Sequence, residues 1–209
     1  MAKLMSNTNP IWPQPQDGDG DGRRQRSDRS RRRIIIAMFE LLREGEMAPS
    51  AAMVAARAKV GLRTVFRHFE DKESIFKEMT EELKAIVMPK FMAPLETKDW
   101  PGCLYELADR NAGLYEQISP MQVALALRRF ESDYLQQQYQ SEVDLLRTSL
   151  KSVVPKAVSQ DRALFAAIQV NLTFATWHRL RADQGLSIAH AKQTLQLILR
   201  ALVEPPHAD

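Results

Sequence analysis

The spacing of the apolar residues constrains this chain more than any other feature. From Arg29 to Val203 they recur at steps of three and four, as on one face of an α-helix, and nowhere do they alternate at the step of two that marks a half-buried strand. Ile34, Ile35, Met38, Phe39, Leu41 and Leu42 mark a first helix that Gly45 ends as a C-cap glycine would, and Ile188, Ala191, Leu195, Ile198 and Leu202 mark the last. An all-α fold follows, with no internal repeat. No apolar run approaches the ~18 to 20 residues that span a bilayer. The single cysteine, Cys103, excludes an internal disulfide and is expected to fill core space, and the chain opens on no signal-peptide pattern, so a cytoplasmic protein with no membrane partner is expected.

Punctuation residues divide the chain. Residues 1–28 are sparse in apolar residues and rich in Asp-Gly and proline, which predicts a disordered tail. Four helices with tight connections follow: one from Arg29, one from Pro49-Ser50 to about Ala58, one from Leu62 to about Phe69, and one capped by Asp71 that reaches about Val87. Asp99 and Pro101 open a helix to about Gln117, Ser119-Pro120 opens another that breaks near Ser132, and a third runs from there to Val154, closed by Pro155. Two long segments complete the chain, Asp161 to Arg181 and Ser187 to Val203. The expected domains are the tail, a three-helix domain at 29–74, and a larger helical domain at 75–209 entered through a shared helix.

Charge is distributed unevenly. The whole chain is +3, yet residues 1–33 hold eight Lys or Arg against four Asp, while the remaining 176 residues carry 21 positive and 22 negative charges. A near-neutral body with a basic end fits a polyanion touched at that end, and a solvated tail is the alternative. If the polyanion is DNA, the arginines at 23–33 can follow the backbone or enter the minor groove as an arm. Asp17, Asp19, Asp21, Gly22 and Asp28 mimic part of an EF-hand loop, but flanking helices and the terminal Glu are missing and arginines crowd the site. No calcium, other metal or cofactor is expected.

The second and third helices are short and joined by a turn containing Gly61, the pattern of a helix-turn-helix whose second helix enters the major groove. On the second helix of the pair, Leu62, Val65, Phe66 and Phe69 fall on one face, expected to pack on Val54, Ala55, Ala58 and Val60. Arg63 and Arg67 lie opposite, flanked by Thr64 and His68, and all four can donate to phosphates or to guanine O6 and N7. An ordinary surface helix would mix in acidic residues; between Ala48 and Phe69 there are none.

The stretch from Val54 through Gly61, Thr64 and His68-Phe69 to Lys72-Glu73 and Phe76 resembles the DNA-binding domain of the TetR family of bacterial transcriptional regulators, closely over about residues 30–80. The resemblance implies that Thr64 and Lys72 contact phosphates and that Arg63, His68 and Arg67 approach bases or the adjacent backbone, with Ser50 at the start of the first motif helix. Two positions depart from the family pattern. Phe66 stands where a tyrosine hydroxyl commonly binds phosphate, and Gly61 where a serine often caps the recognition helix; glycine caps nearly as well, within a few tenths of a kcal/mol. Ala51 and Ala52 add no polar side chain to Ser50.

By the same resemblance the remaining helices hold a small-molecule effector and form a homodimer on a near-palindromic operator of double-stranded DNA, more often as a repressor. The expected pocket walls are Trp100, Tyr105, Tyr115, Met121, Leu125, Phe130, Phe174, Trp177 and His178, with Asn171 and His178 as a polar pair seven residues apart; core packing is the ordinary use of such aromatics. The expected dimer seam is Ile188, Ala191, Leu195, Ile198 and Leu202 with Ala163, Ala166, Ala167 and Val170, whose small side chains permit close approach. No histidine, serine or cysteine sits in a catalytic pattern, so no enzyme is expected. The competing reading is a helical small-molecule-binding scaffold that has lost operator recognition.

Overall fold

The computed structural model describes residues 24–204, all helices and connections, and they divide into two compact units. The tail acids Asp17, Asp19 and Asp21 and residue Gly22 lie outside the described residues.

The first unit comprises residues 24–89 and 120–135. Its helices are α1 (Arg24–Arg43), α2 (Ala51–Ala58), α3 (Leu62–His68) and α4 (Lys72–Phe91), of which α4 leaves the unit after Pro89. Residues 24–28, expected in a disordered tail, are part of the helix α1. Arginine and glutamine are good helix formers and Ser30 ties back to the Arg26 carbonyl at 2.8 Å, so the apolar face that starts at Ile34 is extended by polar turns that bury little. Ile34, Ile35, Met38 and Leu42 pack in the core with Val54, Ala55, Val65, Phe69, Phe76 and Met79, each no more than 4% exposed.

Both α1 and α2 end in the same six-residue turn. After α1, Gly45 takes φ +95° and the N–H groups of Gly45 and Glu46 bond back to Leu42 and Leu41. After α2, Lys59 and Val60 bond back to Ala56 and Ala55 in the same way, but here a lysine occupies the left-handed position at φ 52°. Gly61 has ordinary extended backbone and is the N-cap of α3. Asp71 and Ser74 form the reciprocal cap that starts α4, Asp71 accepting from the Ser74 N–H at 2.8 Å.

The helix α5 (Trp100–Arg128) is continuous for 29 residues, where a break was expected at Ser119-Pro120. A proline inside a helix costs about 3 kcal/mol, and the helix persists because the residues around it, Ile118, Met121 and Ala124, are buried. The chain passes between the units at Pro120, as it does at Pro89 in α4.

The second unit comprises residues 90–119 and 136–204, with α6 (Asp133–Val153) entering it, followed by α7 (Lys156–Gln160), α8 (Arg162–Asn171), α9 (Phe174–His178) and α10 (Ile188–Val203). Its core joins Leu104 and Leu107 of α5, Leu146 and Leu150 of α6, Phe165 and Ile168 of α8, and Leu199 of α10. The segment expected as one helix from Asp161 to Arg181 breaks at Leu172-Thr173 and ends in a π-helical turn at Arg179–Asp183. Thr173 explains the break, because its hydroxyl caps α9 by accepting from the Thr176 N–H. No helix among the described residues is long and apolar enough to cross a membrane.

Candidate functional site

The helix-turn-helix expected from sequence is formed by α2 and α3, and the position of α3 on its neighbours decides which side chains it presents. Only Val65 and Phe69 are buried. Leu62 is 45% exposed and Phe66 56% exposed, so the four-residue apolar face expected for this helix is half that width. A helix of two turns has room to cover one narrow arc, and that arc is turned toward His68 and away from Phe66 by about 60°. Arg63 and Arg67 are exposed on the far side, Thr64 and His68 are half-buried at the edge, and Phe66 joins the arginines on the outside. Phe66 and Leu62 were not expected as surface groups. A seven-residue helix with a histidine on one edge of its apolar arc was the available signal.

His68 is half-buried, like Thr64. Its Nε2 is buried without a hydrogen-bond partner, and burial, followed by the charges of Arg67 and Arg31, lowers the imidazole pKa below its ordinary value. The shift disfavours the charged form of the ring, as suits a side chain packed at the edge of the helix. Ser50 is exposed; its oxygen accepts from the Met53 N–H at 3.2 Å to cap α2, leaving its own proton free to donate outward. Lys72 is exposed at the start of α4. Arg57 is withheld, since Glu44 accepts from both its Nη atoms at 2.8 and 2.5 Å, an interaction that also lowers the Glu44 carboxyl pKa.

A cleft of about 420 Å³ opens in the first unit between α1 and α4, lined chiefly by Asp28, Arg31, Arg32, Glu78 and Glu82. Burial, then the neighbouring Glu78, raises the Glu82 carboxyl pKa. None of the expected pocket residues belongs to this cleft.

Those residues are distributed over both units. Met121 and Phe130 belong to the first, and Phe130 is 79% exposed with the Arg129 guanidinium 4.6 Å from its ring centroid, so it is no pocket wall. The short turn at Arg129–Glu131 that ends α5 swings it outward. In the second unit Tyr115, Phe174 and His178 do come together, with ring centroids 5.6 and 5.4 Å apart in sequence order. Asn171 does not join them through a shared helix face, because the helix breaks after it, and its amide bonds back to the Ala167 carbonyl at 2.8 Å. Tyr105 serves the end of α10 instead, donating to Glu204 at 2.9 Å, and burial pushes its phenol up to about 12.

The break between α8 and α9 organises what is left. The Leu172 carbonyl, freed there, accepts from the Tyr115 hydroxyl at 2.9 Å and from Asn111 Nδ2 at 3.3 Å, and burial raises the Tyr115 pKa. Asn111 is 2% exposed and its Oδ1 has no partner; Nδ1 of His178 is likewise buried and unpartnered. Beside them Glu116 accepts from Trp177 Nε1 at 2.9 Å and from Arg181 Nε at 2.7 Å. Asn111 and Glu116 were missed, although Asn111 sits in line with Leu104, Leu107, Ala108 and Tyr115 on the apolar stripe of α5, where a lone amide is conspicuous.

The expected dimer seam faces inward over part of its length. Ala191 is 0% and Leu195 4% exposed, both packed within the second unit, while Ile198, Leu202 and Ala167 are half-buried. The middle of the stripe on α10, at Ala191 and Leu195, is covered by its own chain, a use that spacing alone does not distinguish from a partner. Ala163 and Ala166 are exposed, and the large apolar residues these helices leave outside are Val170, Ile188 and Leu197, the last 68% exposed on the opposite side of α10 from Leu195.

No family model and no curated protein sequence matches the chain. Among solved structures it is similar to a transcriptional regulator from Rhodococcus sp. Rha1, with a TM-score of 0.62, 16% sequence identity, and coverage of 85% of this chain and 96% of that one. At that identity the likeness is one of fold.

Proposed function

We propose that this chain is a DNA-binding transcriptional regulator of the TetR type, a cytoplasmic homodimer that binds a near-palindromic operator, represses transcription, and is released by a small-molecule effector. The outer face of α3 carries the proposal: Arg63 and Arg67 stand exposed on a short helix that has no acidic residue and follows a tight turn, the form in which a helix can enter a major groove. The fold shared with a transcriptional regulator supports it.

In this reading Arg63 and Arg67 meet guanine O6 and N7 or the flanking backbone, and Ser50, Thr64 and Lys72 hold phosphates on either side. Phe66 supplies the apolar contact that a thymine methyl or a deoxyribose accepts, in place of the phosphate bond a tyrosine would make. His68 keeps Nε2 covered and contributes less. In the second unit Tyr115, Phe174 and His178 are the aromatic lining proposed for the effector, and the unpartnered polar atoms of Asn111 and His178 give it direction. An effector that prefers the conformer in which the two recognition helices are wrongly spaced lowers operator affinity by the amount of that preference.

The test is whether the purified protein retards DNA taken from beside its own gene in excess unrelated competitor. Retention of the shift supports a regulator, and its disappearance on adding a metabolite identifies the effector. Binding no better than to competitor would mean a helical scaffold without operator recognition.

A further inference from the structure

Helical spacing divides the side chains that α3 keeps out of the core into three parallel pairs. At about 100° per residue, Leu62 and Phe66 form one ridge, Arg63 and Arg67 a second, and Thr64 and His68 a third, the members of each pair ~6 Å apart along the axis. Val65 and Phe69, 1% and 2% exposed, fix which side is turned into the fold. The arginine ridge lies opposite them, with the apolar ridge on one flank and the polar ridge on the other.

The two flanks are not equivalent. Thr64 and His68 are half-buried, whereas Leu62 and Phe66 stand about half exposed. Phe66 is about 60° from Arg63 around the helix, so its ring shares the arc that the arginines present. Two large apolar side chains left in water are stabilised by any surface that covers them. The charge beside them says which surface fits. With no acid between Ala48 and Phe69 and with Arg63 and Arg67 on the adjoining ridge, the face attracts a polyanion, and a second copy of it would set arginine against arginine.

On DNA the ridge discriminates among the groups it can cover. An apolar side chain laid on a phosphate, or on a base carbonyl or amino group, removes water without replacing its hydrogen bonds. The apolar group that a base pair shows in the major groove is the thymine methyl. A ridge ~6 Å long, against a rise of ~3.4 Å per base pair, reaches two positions.

We infer that Leu62 and Phe66 together read thymine C5-methyl groups, so that each operator half-site carries thymine beside the positions met by Arg63 and Arg67, an inference that rests on α3 being the recognition helix. Leu62 and Phe66 are then specificity residues, and the ring of Phe66 is used on a base edge in place of a sugar.

The duplex selected from a random-sequence pool by the full-length protein serves as the operator, with binding followed by fluorescence anisotropy. Each thymine is replaced in turn by deoxyuridine, which keeps every hydrogen-bonding group and removes only the methyl. At one or two positions of each half-site the wild type is expected to bind about fourfold more weakly, as for the loss of one buried carbon. Phe66→Gln and Leu62→Gln put a good helix former at exposed positions and stay folded, which circular dichroism checks. Each should bind the thymine and uracil duplexes alike at the position its residue covers. Arg63→Ala should retain the methyl effect while relaxing preference at a neighbouring base pair. If no thymine responds to uracil while Arg63→Ala still relaxes base preference, the ridge is overturned and the recognition helix stands. If Phe66→Gln dissociates the protein in sedimentation yet discriminates thymine from uracil as the wild type does, Phe66 is a protein contact and the ridge is likewise overturned. A selection that yields no preferred sequence overturns both the ridge and the recognition helix.

Discussion

In the first unit the polar residues singled out from sequence, Ser50, Arg63, Arg67 and Lys72, stand on the outside, whereas in the second Asn111, Tyr115 and Trp177 are buried and bonded to partners 61, 57 and 61 residues away. The first arrangement leaves positive charge on the surface. The second uses polar groups to hold a broken helix and a π turn against α5, and leaves single atoms of Asn111 and His178 without a partner. A surface for a polyanion can therefore be assembled from neighbours in sequence, while a buried polar network needs the whole unit folded before any of it exists.

The sharpest way to break this contrast is on α10, where inward and outward residues are two positions apart. Leu195→Arg places a charge among buried apolar groups and is expected to cost more than ~4 kcal/mol, abolishing a cooperative melt of the second unit. Leu197→Arg, on the exposed side, should change stability by less than ~0.5 kcal/mol and convert the proposed dimer to a folded monomer in sedimentation. If Leu197→Arg sediments as wild type, the dimer surface lies elsewhere; if Leu195→Arg melts as wild type, the inward assignment of the seam is wrong.

Glu116→Gln probes the network directly. It leaves Arg181 charged in a site where both partners are only 12–13% exposed, at a cost of about 3 kcal/mol in denaturant unfolding. Binding of mixed-sequence DNA should keep its salt slope, since no phosphate contact is touched; a change in slope would show that the two units are not as distinct in role as proposed.

On the first unit, Arg63→Ala and Arg67→Ala are expected to weaken operator binding by ~1 to 3 kcal/mol each and to relax preference at one base position, with little change in melting temperature. Equal weakening on operator and random DNA would reassign them as phosphate contacts. The smallest expected effect is stabilising. Lys59 sits at φ 52°, which costs a non-glycine residue about 1 kcal/mol, and Lys59→Gly should recover most of it in a thermal melt, as Gly45 already does after α1. A lower melting temperature would mean that the lysine side chain stabilises the turn in some other way.

How far each feature was legible follows from the reach of the physics involved. Caps and turns act over three to five residues, and Gly45, Ser50 and Asp71 do in the structure what their types suggest. Pro120 misled because a breaker's cost of about 3 kcal/mol is local, whereas the burial of Met121 and Ala124 that outweighs it comes from elsewhere in the fold. Phe66 and Leu62 misled for a related reason: helical spacing fixes which residues share a face, but the arc of α3 that is covered depends on how α3 is rotated against its neighbours.

The sequence by itself determined the helical class, through the period of its apolar residues, and the positive charge of the outer face of α3, through the absence of any acid between Ala48 and Phe69. Only the tertiary structure decided the direction each stripe faces. Ala191 and Leu195 turned into their own core, Phe130 turned outward, and Arg31 of α1 was brought to Glu78 on α4. Periodicity is a property of one helix. Direction requires a second surface, and in this chain the surfaces that meet are brought together from distant parts of the sequence.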